Sequence, residues 1–212
     1  MNRALHAASG IVTAIVAVEL IPRALQATSG WLVAVAFGAG GLAYLGLQAL
    51  VERLQKQRSG DDDRTSMWMI YIAVAIDLFS DGLMIGAGSA VATSLALILA
   101  LGQILVDLPE GFATIANSKE KGVRRGHRLL LGASFAVPVL LAATLAYILL
   151  RNQGDALKMA ALTFTAGLLM VAAVEDIIIE AHEIAEDSRT SVLCFIGGFV
   201  LFTLVSAATT SQ

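Results

Sequence analysis

Four carboxylates lie inside apolar sequence within residues 75–117, AIDLFSDGLMIGAGSAVATSLALILALGQILVDLPEGFATIAN. Asp77 and Asp81 are four residues apart, so on a helix both face the same side. Asp107 and Glu110 are three apart, with Pro109 between them. Proline has no N–H, which releases a carbonyl about four residues upstream, beside the acids. An acid held alone in hydrocarbon is unfavourable by roughly 2.5–3.5 kcal/mol on insertion scales. Such acids must be paired, protonated or gathered round a cation, and a bound cation is the simplest answer. The two segments also rhyme. DLFSDG (77–82) and VDLPEG (106–111) each end in an acid followed by glycine, with another acid three or four residues earlier.

A third acidic stretch, AGLLMVAAVEDIIIEAHEIAED (166–187), carries Asp176 and Glu180 four residues apart. Glu183 extends that face, and Glu175 and His182 occupy an adjoining one. Glu183, Glu186 and Asp187 read as wet residues where a helix emerges from the bilayer. Apolar residues flank Asp176 and Glu180, which are expected to face the two acid boxes. Glu19, just before Pro22, is one more acid in an apolar run. Asp61, Asp62 and Asp63 read as a solvated tether.

The elements that must hold these groups are membrane helices. The chain has 212 residues, 57% of them hydrophobic and 15% charged, against about 25% charged in a soluble domain. The mean hydropathy is +0.78. Charges cluster in a few short segments, and the apolar runs between them are long enough to cross a ~30 Å core. The short alternating segments of a transmembrane barrel do not occur. The single cysteine, Cys194, excludes an intramolecular disulfide and a cysteine-based metal site. The first apolar run ends in ELIPRAL, with no small-residue cleavage site, so no cleavable signal is expected.

The pattern predicts an all-α integral membrane protein, one transmembrane domain over 1–212. Its seven helices lie near 5–21, 31–51, 67–86, 91–117, 129–150, 156–182 and 191–208. With 52–66 and 118–127 inside, eleven of the 14 basic residues lie on that side. Only Arg23, Arg151 and Lys158 lie outside, which predicts a cytoplasmic N-terminus and an outer C-terminus. Glycines at 10, 38, 40, 41, 46, 197 and 198 suit close helix contact, including contact beyond one bundle.

With these residues in view, the chain resembles the ZIP (Zrt/Irt-like) divalent metal transporters. DLFSDG is similar to the family's H-N-x-x-D/E-G box, with Asp77 at the histidine position, Leu78 at the asparagine, and Asp81 and Gly82 matching. VDLPEG is similar to its x-x-x-P-E-G box, through Asp107, Pro109, Glu110 and Gly111. AGLLMVAAVEDIIIEAH resembles the penultimate helix, which puts Asp176 at a metal-binding position with Glu180 and His182 after it. Residues around Glu19 resemble the family's second helix, where a histidine is common. The resemblance implies a ZIP-like fold that starts at the family's second helix, a homodimer, and a divalent metal ion as substrate: zinc, iron or manganese, with cadmium as a surrogate. It further implies one site from Asp77, Asp81, Glu110 and Asp176, and an adjacent one from Asp107 sharing Glu110 and Asp176. Asp77 replaces the family's histidine, Leu78 its asparagine, and Val106 a polar residue of the second box.

Those ligand sets contain oxygen only. Hard ions such as Mn²⁺ favour them, while Zn²⁺ favours nitrogen and sulfur yet also accepts carboxylates. Excess negative charge would be held by a second ion or by protons. The expected function is metal transport toward the cytoplasm, not enzyme catalysis, with the lipid bilayer and the ion as partners and no nucleic acid. Two other readings remain. Asp77 or Asp81 with Asp107 could serve an intramembrane aspartyl protease, although no G-x-G-D box is found. A non-transporting relative that only holds a cation is the second.

Overall fold

The computed structural model describes the backbone at 2–57, 63–120, 125–183 and 188–210; side chains are described at 5–50, 53, 71, 74–107, 125–126, 129–130, 132–175 and 189–209. Every element among these residues is helical. The helices are α1 (Asn2–Ala14), α2 (Ile21–Ala27), α3 (Gly30–Gln57), α4 (Asp63–Val91), α5 (Thr93–Glu120), α6 (Arg125–Ser134), α7 (Ala136–Leu150), α8 (Asp155–Glu183) and α9 (Ser188–Thr210). A π-helical turn, Ile15–Leu20, joins α1 to α2 without a break. Six stretches among the described residues are long and apolar enough to cross a membrane: Leu5–Ala27, Gly30–Leu50, Val74–Val91, Gly132–Leu150, Asp155–Glu175 and Arg189–Thr209. A shorter apolar one, Thr93–Asp107, opens α5. The protein is therefore an all-α, multi-pass membrane bundle.

Several boundaries differ from the sequence reading. Pro22 does not end the first helix. The wide turn ahead of it, in which the Ile21 N–H reaches Val16 O, carries the chain on to Ala27. The expected loop at 87–90 is helix instead, because α4 continues to Val91 and only Ala92 separates it from α5. Gly88 lies at that reversal, with the end of the Leu99 side chain close against it as α5 folds back. The expected fifth helix is divided at Phe135, three residues before Pro138, into α6 and α7. Helix α3 has 28 residues, about 42 Å at 1.5 Å per residue, so it outruns a ~30 Å core.

Glycine organises the packing. In the α1–α9 pair, a Cβ on Gly10 would overlap the Phe195 carbonyl, and one on Gly198 the Ala7 carbonyl. In the α3–α8 pair, Gly40 meets the Phe164 carbonyl and Gly167 that of Phe37. In the α4–α7 pair, Gly82 meets Val139 and Gly86 meets Ala143, residues that advance together, so these two helices run parallel. Backbones approach this closely only where side chains are absent, and dispersion and weak contacts between them hold the helices together in lipid. The glycines of the first, second and seventh spans are thus largely used inside the chain. Gly38, Gly46 and Gly197 alone of that set have no neighbouring heavy atom within 4 Å of a Cβ.

Each pair has an inner and an outer member. In α1–α2, α4 and α8 the membrane-length windows are 50%, 44% and 50% buried, against 17% in α3, α7 and α9. The outer helices turn leucines such as Leu42, Leu140 and Leu204 outward, as a lipid-facing surface requires. The inner ones bury Ile15, Leu20, Met84, Leu162 and Leu169 in a common core. Among the described residues, helix α5 belongs to no glycine-seamed pair. It lies against α1 and α4 through Leu95, Ile98 and Leu99, with Leu97, Leu101 and Ile104 exposed on its other side. Those four helices, α1, α4, α5 and α8, enclose the acids.

Candidate metal site

Asp77 and Asp81 stand one turn apart on α4, and Asp107 reaches them from α5. One carboxylate oxygen from each lies within 4.8 Å of the other two. Asp81 is almost completely buried at 1% exposure, while Asp77 and Asp107 are half-buried. Gln103, one turn before Asp107 and 3% exposed, donates from Nε2 to Asp81 Oδ1. A cavity of about 130 Å³ opens onto Asp77, Asp81, Gln103 and Val106. The rest of its lining is Leu5, Ala8, Ser9 and Val12 of α1 and Leu169, Ala172 and Ala173 of α8.

The spacing fits one ion. Metal–oxygen bonds of about 2.0–2.6 Å put ligands on opposite sides of a cation roughly 4–5 Å apart. Without an ion the same spacing is unfavourable. Two unit charges 4.8 Å apart repel by about 3.5 kcal/mol at an effective dielectric near 20. Summed over three pairs, this is comparable to the whole stability of a typical domain, about 5–15 kcal/mol. Partner groups, protons or a cation must offset it.

The other acids divide into two groups. The side chains of Glu110, Asp176 and Glu180 lie outside the described residues, as does that of His182; α5 itself runs as helix through Pro109. Glu19 and Glu175 are described, and each is engaged away from the triad. Glu19, in the π-helical turn, accepts hydrogen bonds from Arg23 Nη2 at 2.8 Å and Nε at 3.0 Å, and from the Ser206 hydroxyl of α9. It ties the first span to the last. Replacing Arg23 with methionine would leave the buried carboxylate with the Ser206 hydroxyl alone among the described residues. The expected cost is about 1–3 kcal/mol, seen as a lower melting temperature in detergent that Glu19→Gln in the same chain partly restores. Glu175 accepts from Gln48 Nε2, which bridges α8 to α3.

The sequence reading passed over Gln103 and Gln48. Both are amides in apolar runs, and the depth argument that isolates the acids applies to any strong polar group. Gln103 also had a positional signal, since it falls four residues before Asp107 on one helix face. Neither the models of known protein families nor the curated proteins include a match to this chain.

Proposed function

We propose that this chain is a ZIP-like transporter that moves a divalent metal cation of the zinc, iron or manganese class toward the cytoplasm. The observation that carries the reading is the cluster of Asp77, Asp81 and Asp107 inside a membrane bundle, beside a cavity that the first two line. Three carboxylates and an amide suit a cation better than the two-aspartate chemistry of a protease. Glu110 follows Asp107 by three residues, and Asp176 follows the cavity-lining Ala172 and Ala173 by one turn, so both are proposed as further ligands. With them the site becomes binuclear, as the resemblance implies, and Glu180 is the next acid along α8. An N-terminus on the cytoplasmic side follows from the basic-residue asymmetry. Gly38, Gly46 and Gly197 leave α3 and α9 as surfaces for a second copy in a homodimer.

Movement would follow from the two kinds of helix contact. Glycine-seamed pairs meet backbone to backbone and behave as rigid units. Helix α5 meets its neighbours through side chains, such as Leu95 and Leu99 at Gly88 and Ile15 and Phe202 at Gly102. Side chains can repack, so α5 can shift against the scaffold while the pairs stay intact. That would open the site alternately to each side.

Uptake of Mn²⁺ or Zn²⁺ into liposomes containing the purified protein tests the proposal. The wild type should accumulate metal, and Asp107→Asn should reduce the rate at least tenfold. Mn²⁺ binding without uptake would leave a cation-holding protein instead. Cleavage of a membrane peptide, lost in both Asp77→Asn and Asp107→Asn, would favour the protease.

A further inference from the structure

Gln103 does something that neither packing nor the three aspartates require. Its side chain is nearly fully buried, and its Nε2 donates to Asp81. Its Oε1, on the same terminal group, is buried without a hydrogen-bond partner among the described residues. A buried amide acceptor without a donor is rare, because water would have satisfied it in the unfolded chain. The group lines the same cavity as Asp77 and Asp81, and it stands one helical turn from Asp107.

We infer that Gln103 is a ligand of the transported cation through Oε1, and that the site it completes selects a hard, oxygen-preferring ion of the Mn²⁺ kind. This rests on the transport reading given above. A carboxamide oxygen is a hard, neutral donor of the sort found around Ca²⁺ and related ions. Neutrality matters at this position. Another carboxylate at this position would add to the repulsion in the metal-free site, whereas an amide adds a ligand and no charge. The two ends of the amide also divide the work. Its nitrogen holds Asp81 in place, and rotation about the last side-chain bond exchanges nitrogen for oxygen. Oxygen turned toward Asp81 is repelled by an ionised carboxylate unless a cation lies between them. The resulting four-oxygen set contains no nitrogen or sulfur, which removes the preference that Zn²⁺ sites usually express.

Titration of the purified full chain in detergent with Mn²⁺, following free Mn²⁺ by electron paramagnetic resonance and competing with Zn²⁺, separates the alternatives. Gln103→Leu should weaken Mn²⁺ binding at least about tenfold, the lower end of what loss of a mere supporting partner costs a metal site. It should weaken Zn²⁺ less. Gln103→Glu keeps an oxygen donor and loses the N–H group, so it should bind Mn²⁺ at least as tightly as the wild type. Equal weakening in both variants would make Gln103 a positioning residue acting through its nitrogen, and would overturn the inference. So would a Gln103→Leu protein with wild-type affinity. If Gln103→Leu fails to fold, Gln103→Glu alone decides, since weaker binding there contradicts an oxygen ligand. Wild-type Mn²⁺ affinity in Asp81→Asn is a different failure, because it would mean the ion does not bind at this cluster at all.

Discussion

Asp81→Asn is expected to abolish metal uptake and, at the same time, to raise the melting temperature of the metal-free protein. Asparagine has nearly the shape of aspartate and can still pair with Gln103, so packing around this fully buried residue is kept. The charge is lost, and with it the repulsion toward Asp77 and Asp107. Each of those terms is about 3.5 kcal/mol at full ionisation, so relief of even part of them stabilises the fold. The metal loses one of its ionised ligands, for which a hundredfold drop in affinity, about 2.7 kcal/mol, is a low expectation. Melting curves read both effects. At an Mn²⁺ concentration of about 100 times the dissociation constant, the wild type should gain about 2.7 kcal/mol, and the variant should gain almost nothing. A variant less stable than the wild type without metal, or equally stabilised by it, would contradict the account. Such opposite effects on stability and function are the mark of a site that is strained when it holds no ion.

The second large effect concerns the scaffold. Gly167→Val should prevent recovery of folded protein, because the new Cβ would overlap the carbonyl of Phe37 on the facing helix. The obstacle is backbone, which no rotamer change can clear, so α3 and α8 would have to separate. Separation would also pull Gln48 from Glu175 and leave that carboxylate unpartnered in the bundle. A loss above about 4 kcal/mol is expected, in the range that only a few mechanisms reach. Gly46→Ala is the control. No heavy atom lies within 4 Å of a Cβ there, and alanine is favoured over glycine inside a helix by about 0.5–1 kcal/mol. Size-exclusion chromatography in detergent should give a monodisperse peak for Gly46→Ala and aggregate for Gly167→Val. Equal recovery of the two would mean the glycine contacts do not hold the pair.

A physical signal is legible in the sequence where it is local. Asp77, Asp81 and Asp107 stood out because a charge in an apolar run is costly wherever the helix goes, and that cost is visible in one dimension. The number of apolar segments was legible for the same reason. Glu19 had the same signal and another meaning. Arg23 lay four residues on, at ion-pair spacing, but Ser206 is 187 residues away, and no spacing rule links them. The glycines announced close contact without naming partners: Gly10, Gly40 and Gly198 meet backbone of other helices of the same chain, and Gly38, Gly46 and Gly197 do not. The stretch 87–90, Ala-Gly-Ser-Ala, reads in the sequence as the break between two helices. It stays helical where α5 folds back on α4 and Leu99 approaches Gly88, a tertiary setting that overrides local propensity. Gln103 carries no charge to mark it, yet burial penalises a neutral amide as well.

Asp77, Asp81 and Asp107 are proposed to hold the transported ion together. Anomalous scattering from crystals soaked in Mn²⁺ or Cd²⁺ should then show a peak between the three carboxylates, within ligand distance of Gln103, that disappears in Asp81→Asn. Strong peaks elsewhere in the bundle, with none between Asp77, Asp81 and Asp107, would contradict it.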